Sequence, residues 1–423
     1  MTKCLPILST IAVLSLTSCT TEKLPNYPRA YREYAYVTNG KSNTVSVLDL
    51  DTYHSIRTIP VGVNPTGVAA NPTKNEIYVV NTGSNSVSVI DAETNKLTGT
   101  IGVGQSPYFI DVSRDGKRGY VANSGSNSVS VIDLDQHKVI RSIAVGAAPG
   151  LARVSADGKV VVTSNRGDAS VSVIDPERLE ARSKVALCAQ PTELAILPDA
   201  SKAFVTCSGS GQVAVVALAN QETPIAAEPS GGTPNQKSTE PPDAGRSPKN
   251  SKRHVPEARS ASENSDHLLV LLDVGKTPLH LALKPDGGEI FVSNFDSNTV
   301  SEIITNTNEV NGSYLIGKNP VRGLVSADNS TLYVTNFGSD SVGVYSIDDG
   351  KLVATVHVGS RPDAMALSPN QNFLFVVDTA AGDVAVVRAA ALPFPVLLTM
   401  IPVGQQPNAI AVKAFILRKP PQP

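Results

Sequence analysis

A four-residue word, written eight times at nearly fixed spacing, limits what this chain can fold into more than any other feature. Tyr36-Val37-Thr38-Asn39 recurs as Tyr78–Asn81, Tyr120–Asn123, Val162–Asn165, Phe204–Cys207, Phe291–Asn294, Tyr333–Asn336 and Phe375–Asp378. Successive copies stand 42 residues apart, except for one step of 87 between the fifth and the sixth. A polar turn follows each copy, then an alternating run such as VSVLD at 45–49 or VSVID at 87–91, 129–133 and 171–175. Next comes a run ending in Gly with a Pro three residues on, as in Gly62/Pro65, Gly104/Pro107 and Gly146/Pro149. A short apolar run then leads into turns such as SRDGK at 113–117.

Apolar residues alternate with period two, β-branched side chains dominate, and Gly, Pro, Asn and Asp bound each run. No window sustains a 3.6-residue period, so helix is a minor component. Each unit therefore reads as four short strands. A four-stranded unit repeated at this length is a propeller blade, which closes radially and leaves no long exposed sheet edge. The chain resembles the YVTN-family β-propeller repeat proteins, whose tetrad stands unaltered at Tyr36–Asn39, over nearly all of residues 34–413. The expected fold is all-β, with eight blades for eight tetrads; relatives often have seven, which stands as the alternative count. The surplus in the long step lies at 219–266, a stretch rich in Ser, Pro, Lys and Glu that reads as a disordered insertion rather than a ninth blade. The chain opens on a tetrad strand, the second of a blade, and Asn408–Val412 matches a first strand. The C-terminal strand is thus expected to complete the N-terminal blade, leaving 414–423 as a tail.

Ahead of the ring, Lys3 and the short apolar stretch Leu5–Leu16 read as an export leader spanning 1–18, too short to cross a bilayer. Leu16-Thr17-Ser18-Cys19 resembles the lipobox of bacterial lipoproteins. That resemblance implies acylation at Cys19, a polar tether over 19–33, and a place in the cell envelope. Thr20 in place of Asp favours the outer membrane if the organism has two. With 36 basic and 38 acidic residues the chain shows no basic excess, which argues against a nucleic-acid binder.

Four cysteines in 423 residues make neither a disulfide scaffold nor a zinc motif. Cys4 belongs to the leader and Cys19 to the lipid. Cys188 takes the place of the repeat's Gly, and Cys207 the place of the tetrad's Asn. These two positions should be neighbours across one blade junction, so an oxidising compartment predicts a disulfide between them.

Function on a propeller gathers at the channel mouth. Two residues after each Pro, where the innermost strand begins, stand Gly67, Phe109, Leu151, Glu193, His280, Arg322, Ala364 and Ala409. Blades 5, 6 and 7 thus set Glu193, His280 and Arg322 side by side, with Arg166, Phe295 and Phe337 on the turns after the tetrads. Cations would fix charge, Phe would give apolar contact, and Glu193 with His280 would trade a proton, so the sector is a candidate site for a polar or anionic ligand. A solvated ion-pair cluster is the blander alternative. Asp111 and Arg153 read as a structural pair between adjacent blades. No metal-ligand spacing, haem-ligand pattern, phosphate loop or nucleophile elbow is present, so no cofactor is expected.

These features predict a monomeric, lipid-anchored, non-catalytic binding or scaffold module that meets a protein, an envelope component or a small ligand over its top face. A lactone or ester hydrolase of the phosphogluconolactonase type, acting through Glu193, His280 and Arg322, is one alternative. A surface-layer or adhesive element contacting through the insertion is another.

Overall fold

The computed structural model describes residues 28–219, 265–390 and 395–418. The leader 1–18, Cys19, the tether up to residue 27, the body of the insertion (220–264) and the end of the tail (419–423) lie outside the described residues. Eight four-stranded antiparallel sheets form the ring. Blade 1 holds Tyr31–Pro60 together with Pro407–Ile416, and blades 2, 3 and 4 run from Pro65, Pro107 and Pro149. Blades 5, 6, 7 and 8 start at Pro191, Pro278, Pro320 and Pro362. In blades 2 to 8 the chain runs outward, the first strand innermost and the fourth outermost. The count is eight, not seven.

Closure is made by Pro407–Ile416, which pairs antiparallel with Tyr31–Asn39 from Tyr31 opposite Ile416 to Asn39 opposite Pro407. Both strands reach three residues beyond the 34–413 expected for the ring. Tyr31 to Glu33 and Ala414 to Ile416 continue the ladder, and Phe415 lies edge-on to Tyr34 with centroids 5.7 Å apart.

The repeat has a physical reason at each position. The tetrad's aromatic residue is fully buried at Tyr36, Tyr78, Tyr120, Phe204, Phe291 and Phe375, and fills the gap between neighbouring sheets. The core is accordingly a set of layers between blades, such as Tyr78, Val80 and Val87 against Ile110, Val121 and Ile132. The tetrad's Asn satisfies buried hydroxyls: Asn81 Nδ2 donates to Ser86 Oγ at 3.2 Å and Ser88 Oγ at 3.0 Å, and Asn165 does the same for Ser170 and Ser172. The repeat's Gly is required by close approach, since a Cβ on Gly104 would sit 2.6 Å from Asn123 Cγ. Left-handed Asn85 (φ 52°) ends its turn and accepts from the Ser106 N–H at 2.9 Å, tying one blade's turn to the next.

Turns from second to third strand and from each blade to the next gather on one face, here the top. The chain enters the ring at Tyr31 and leaves it at Ile416 on the other face, the base. The hairpin carrying the insertion, between Gln212–Ala217 and His267–Asp273, also opens there. Its neck is clamped by Asp266: Arg182 Nε and Nη2 donate to the two carboxylate oxygens at 2.9 and 2.7 Å, joined by the Ser183 hydroxyl and the Ala219 N–H. Among the described residues no helix is long and apolar enough to cross a membrane.

Candidate functional site

The innermost strands start at the top face with Pro, which fixes φ and delivers the next residues to the channel wall. Small residues there, Gly67 in blade 2 and Ala409 in blade 1, leave the top of the channel wall on that side without charged groups. A Cβ on Gly67 would press on the Tyr108 carbonyl at 2.9 Å, so the wall is closed on that side. The open space is displaced toward blades 3 to 8, where a cavity of about 730 Å³ opens upward.

Six consecutive blades each place one acidic or basic group of the innermost strand along that sector, in the order Asp111, Arg153, Glu193, His280, Arg322, Asp363. Opposite charges alternate along it. Arg153 Nη2 donates to Glu193 Oε1 at 3.0 Å, and its Nη1 lies 3.7 Å from Asp111 Oδ1. Its guanidinium also covers the Phe109 ring at 4.9 Å. Arg322 Nε meets Asp363 Oδ1 at 3.1 Å. The side chains of Arg153, Glu193, Arg322 and Asp363 keep 27%, 9%, 33% and 27% of their surface exposed, so protein encloses them while solvent in the channel still reaches them.

This setting fixes the protonation states. Burial alone would raise the Glu193 carboxyl, but Arg153, His280 and Arg322 outweigh it and hold it below the ordinary value. At Asp111 the balance reverses: burial outweighs Arg153 and pushes the carboxyl up, although it accepts from the Val154 N–H at 2.9 Å. Burial, opposed by Glu193 and aided by Arg322 and Arg153, pushes His280 down to about 4, so the imidazole is neutral near pH 7. The Gly323 N–H donates to His280 Nδ1 at 3.3 Å. A neutral ring whose Nδ1 accepts must carry its proton on Nε2. His280 therefore presents a donor, not a base, at its other nitrogen.

Of the six residues singled out from sequence, Arg166, Glu193, His280 and Arg322 line the cavity together. Phe295 and Phe337 do not. They pair with each other on the blade 6 and 7 turns, centroids 6.2 Å apart, and Arg361 covers Phe337 at 5.5 Å. The reason is the displacement of the cavity: the turns after the tetrads that border it are those of blades 2, 3 and 4, at Thr82, Ser124 and Arg166. Sequence reasoning missed Asp363, which follows its Pro by one residue instead of two, and missed that Arg153 pairs more closely with Glu193 than with Asp111. The long Arg side chain reaching forward one blade was the available signal. Elsewhere, Cys188 and Cys207 are joined by a disulfide, with Cα atoms 5.7 Å apart. No cluster of three or more His, Cys, Asp or Glu that could hold a metal occurs among the described residues.

Known sequences and folds agree with a β-propeller. The sequence pattern of the YNCE-like beta-propeller family matches residues 26–153, and that of the lactonase, 7-bladed beta-propeller family matches residues 324–391. The chain is a β-propeller protein. Neither match spans half of the propeller, and the lactonase match includes none of Glu193, His280 and Arg322. No curated protein matches the propeller's sequence. Among solved structures it is similar to dihydro-heme d1 dehydrogenase NirN in complex with DHE, at 11% identity and a TM-score of 0.66, covering 89% of this chain and 74% of that one. A functionally unknown protein from Desulfotomaculum acetoxidans is similar at 13% identity and a TM-score of 0.56, covering 90% and 98%. Kuenenia stuttgartiensis hydrazine synthase is similar at 20% identity and a TM-score of 0.52, covering 84% and 92%. At such identities the likeness is one of fold.

Proposed function

We propose that this propeller is a non-catalytic binding module, exported and lipid-anchored at Cys19, that holds a small ligand in its top-face cavity. The observation that carries the reading is the cavity itself. At about 730 Å³ it falls within the range of small-molecule sites, and its apolar walls carry a few convergent polar groups. The charged groups of the innermost strands are mutually engaged, which suits a rigid receptor better than a reaction centre. A screen of small polar compounds by thermal shift, run on the wild type and on Arg322→Ala, tests it. Ligands that raise Tm of the wild type and not of the variant are the expected result; a screen with no such ligand counts against it. For the anchor, labelling of cells with an alkyne fatty acid should tag the wild type and not Cys19→Ala.

The lactonase match at 324–391 favours one second reading, hydrolysis of a lactone or ester. Against it, His280 Nε2 is a donor, and the ion pair with Arg153 holds the Glu193 carboxyl below its ordinary value and makes it a weaker base. A panel of lactones assayed with wild type and Glu193→Gln decides: turnover that disappears in the variant would establish the enzyme.

A further inference from the structure

The cavity's donors and acceptors are unequally available. Each carboxylate of the arc already accepts from a guanidinium or a backbone N–H. Glu193 Oε1 takes Arg153 and the Leu194 N–H, Asp363 takes Arg322, and Asp111 takes the Val154 N–H. The lining carries three guanidiniums, Arg153, Arg166 and Arg322, against two carboxylates, Glu193 and Asp363. Arg166 lines the cavity and has no ion-pair partner among the described residues. His280 Nε2 carries a hydrogen because Nδ1 is occupied by Gly323. A guanidinium has five N–H groups, and the contacts of Arg322 with Asp363 are made through Nε alone. Around these donors lies an apolar wall of Tyr108, Phe109, Leu151, Leu279 and Val321, with Ser106, Gln190 and Thr192 also in the lining.

From this inventory we infer that the cavity selects organic carboxylic acids in their ionised form, with an apolar body against the aromatic and aliphatic wall and the carboxylate taking Arg166, Arg322 and the His280 Nε2–H. The inference rests on the reading of the cavity as a ligand site and gives that ligand its charge. A carboxylate accepts only, so it satisfies spare donors without needing any acceptor in return. An amine would add a further cation beside Arg153, Arg166 and Arg322. An amide would bring no charge to pair with the Arg166 guanidinium. The neutral imidazole, faced by Glu193, Arg153 and Arg322, can donate its one proton without adding a charge.

The test uses three probes of one shape and three charges, 2-naphthoate, 2-naphthamide and 2-naphthylmethylamine, titrated into the full chain at pH 7.5 by ligand-observed NMR. The acid should bind at least tenfold more tightly than either of the others, and Arg166→Gln should remove most of that preference while leaving Tm unchanged. Binding of the amine or the amide as tight as that of the acid overturns the charge assignment and leaves the ligand site standing, provided Gly150→Phe, which places a ring in the cavity, abolishes it. Failure of all three to bind at millimolar concentration overturns the assignment together with the reading beneath it. A long-range ¹⁵N–¹H spectrum gives an independent check: His280 should show the Nε2–H tautomer at pH 7, and an Nδ1–H tautomer or an imidazolium sinks the proposal.

Discussion

Asp378 stands where six other blades place Asn, and the change leaves a carboxyl in a site built for an amide. In blade 2 the Asn81 amide donates to Ser86 and Ser88. In blade 8 the equivalent of Ser86 is Asp383, directly opposite Asp378 in the strand register. Asp378 is fully buried, and burial together with the Asp383 charge pushes it up to about 8 from an ordinary 3.8. A carboxyl whose pKa is higher folded than unfolded favours the fold below the unfolded value, and that contribution is lost as pH rises through the folded one. The wild type should therefore melt at a falling temperature from pH 4 to pH 8. Asp378→Asn, which restores the donor, should flatten that curve and raise Tm at pH 8; parallel curves for the two proteins would refute it. The Gly of the repeat makes a steric prediction. Gly104→Ala forces a Cβ to within 2.6 Å of Asn123 Cγ and should cost about 1–3 kcal/mol, read from the urea midpoint.

At the scale of the element, one junction solves the Gly–Asn contact differently. Cys188 and Cys207 occupy the two positions and fill the space with a covalent bond across a separation of 19 residues. Closing a loop of that size stabilises by about 3 kcal/mol in the chain-entropy account. Cys188→Ser with Cys207→Ser should lose about that much by urea unfolding, and Cys188→Gly with Cys207→Asn should lose less because it reinstates the Gly–Asn contact found at six other junctions. Equal losses would mean that the junction tolerates no Asn. The neighbouring neck is a second local device. Asp266 is nearly buried, its side chain 3% exposed, and removing its partner by Arg182→Ala should cost about 3–5 kcal/mol. Strands, turns and this pairing were legible because a repeat aligns each residue with seven equivalents, so a departure such as Cys188 or Asp378 announces itself. The cavity was legible only in part. Alignment places Glu193, His280 and Arg322 on the wall, but it does not show which way the space is displaced. It also does not show that Arg153 extends to Glu193, or that Phe295 and Phe337 turn toward each other. Those outcomes depend on side-chain length and on the small residues of blades 1 and 2, not on position within the repeat.

For the whole molecule, the decisive element is the strand Pro407–Ile416. It gives blade 1 its innermost strand and joins two ends of the chain that are hundreds of residues apart. A chain ending at Gly404 would strip the edge of Tyr31–Asn39 and uncover Tyr36 and Val37 to the channel side. Calorimetry of that truncation should show the single sharp transition replaced by a broad one at lower temperature; an unchanged Tm would mean that the ring does not depend on closure. The same strand pairing also sets how the propeller sits on whatever holds it. Entry at Tyr31, exit at Ile416 and the neck at Asp266 share one face, and the cavity opens on the other. With the anchor proposed at Cys19, the dozen or so residues up to Tyr31 span at most about 40 Å. On that proposal the molecule would be a cup standing on its base, with the lip turned outward to catch what diffuses past and the membrane behind it.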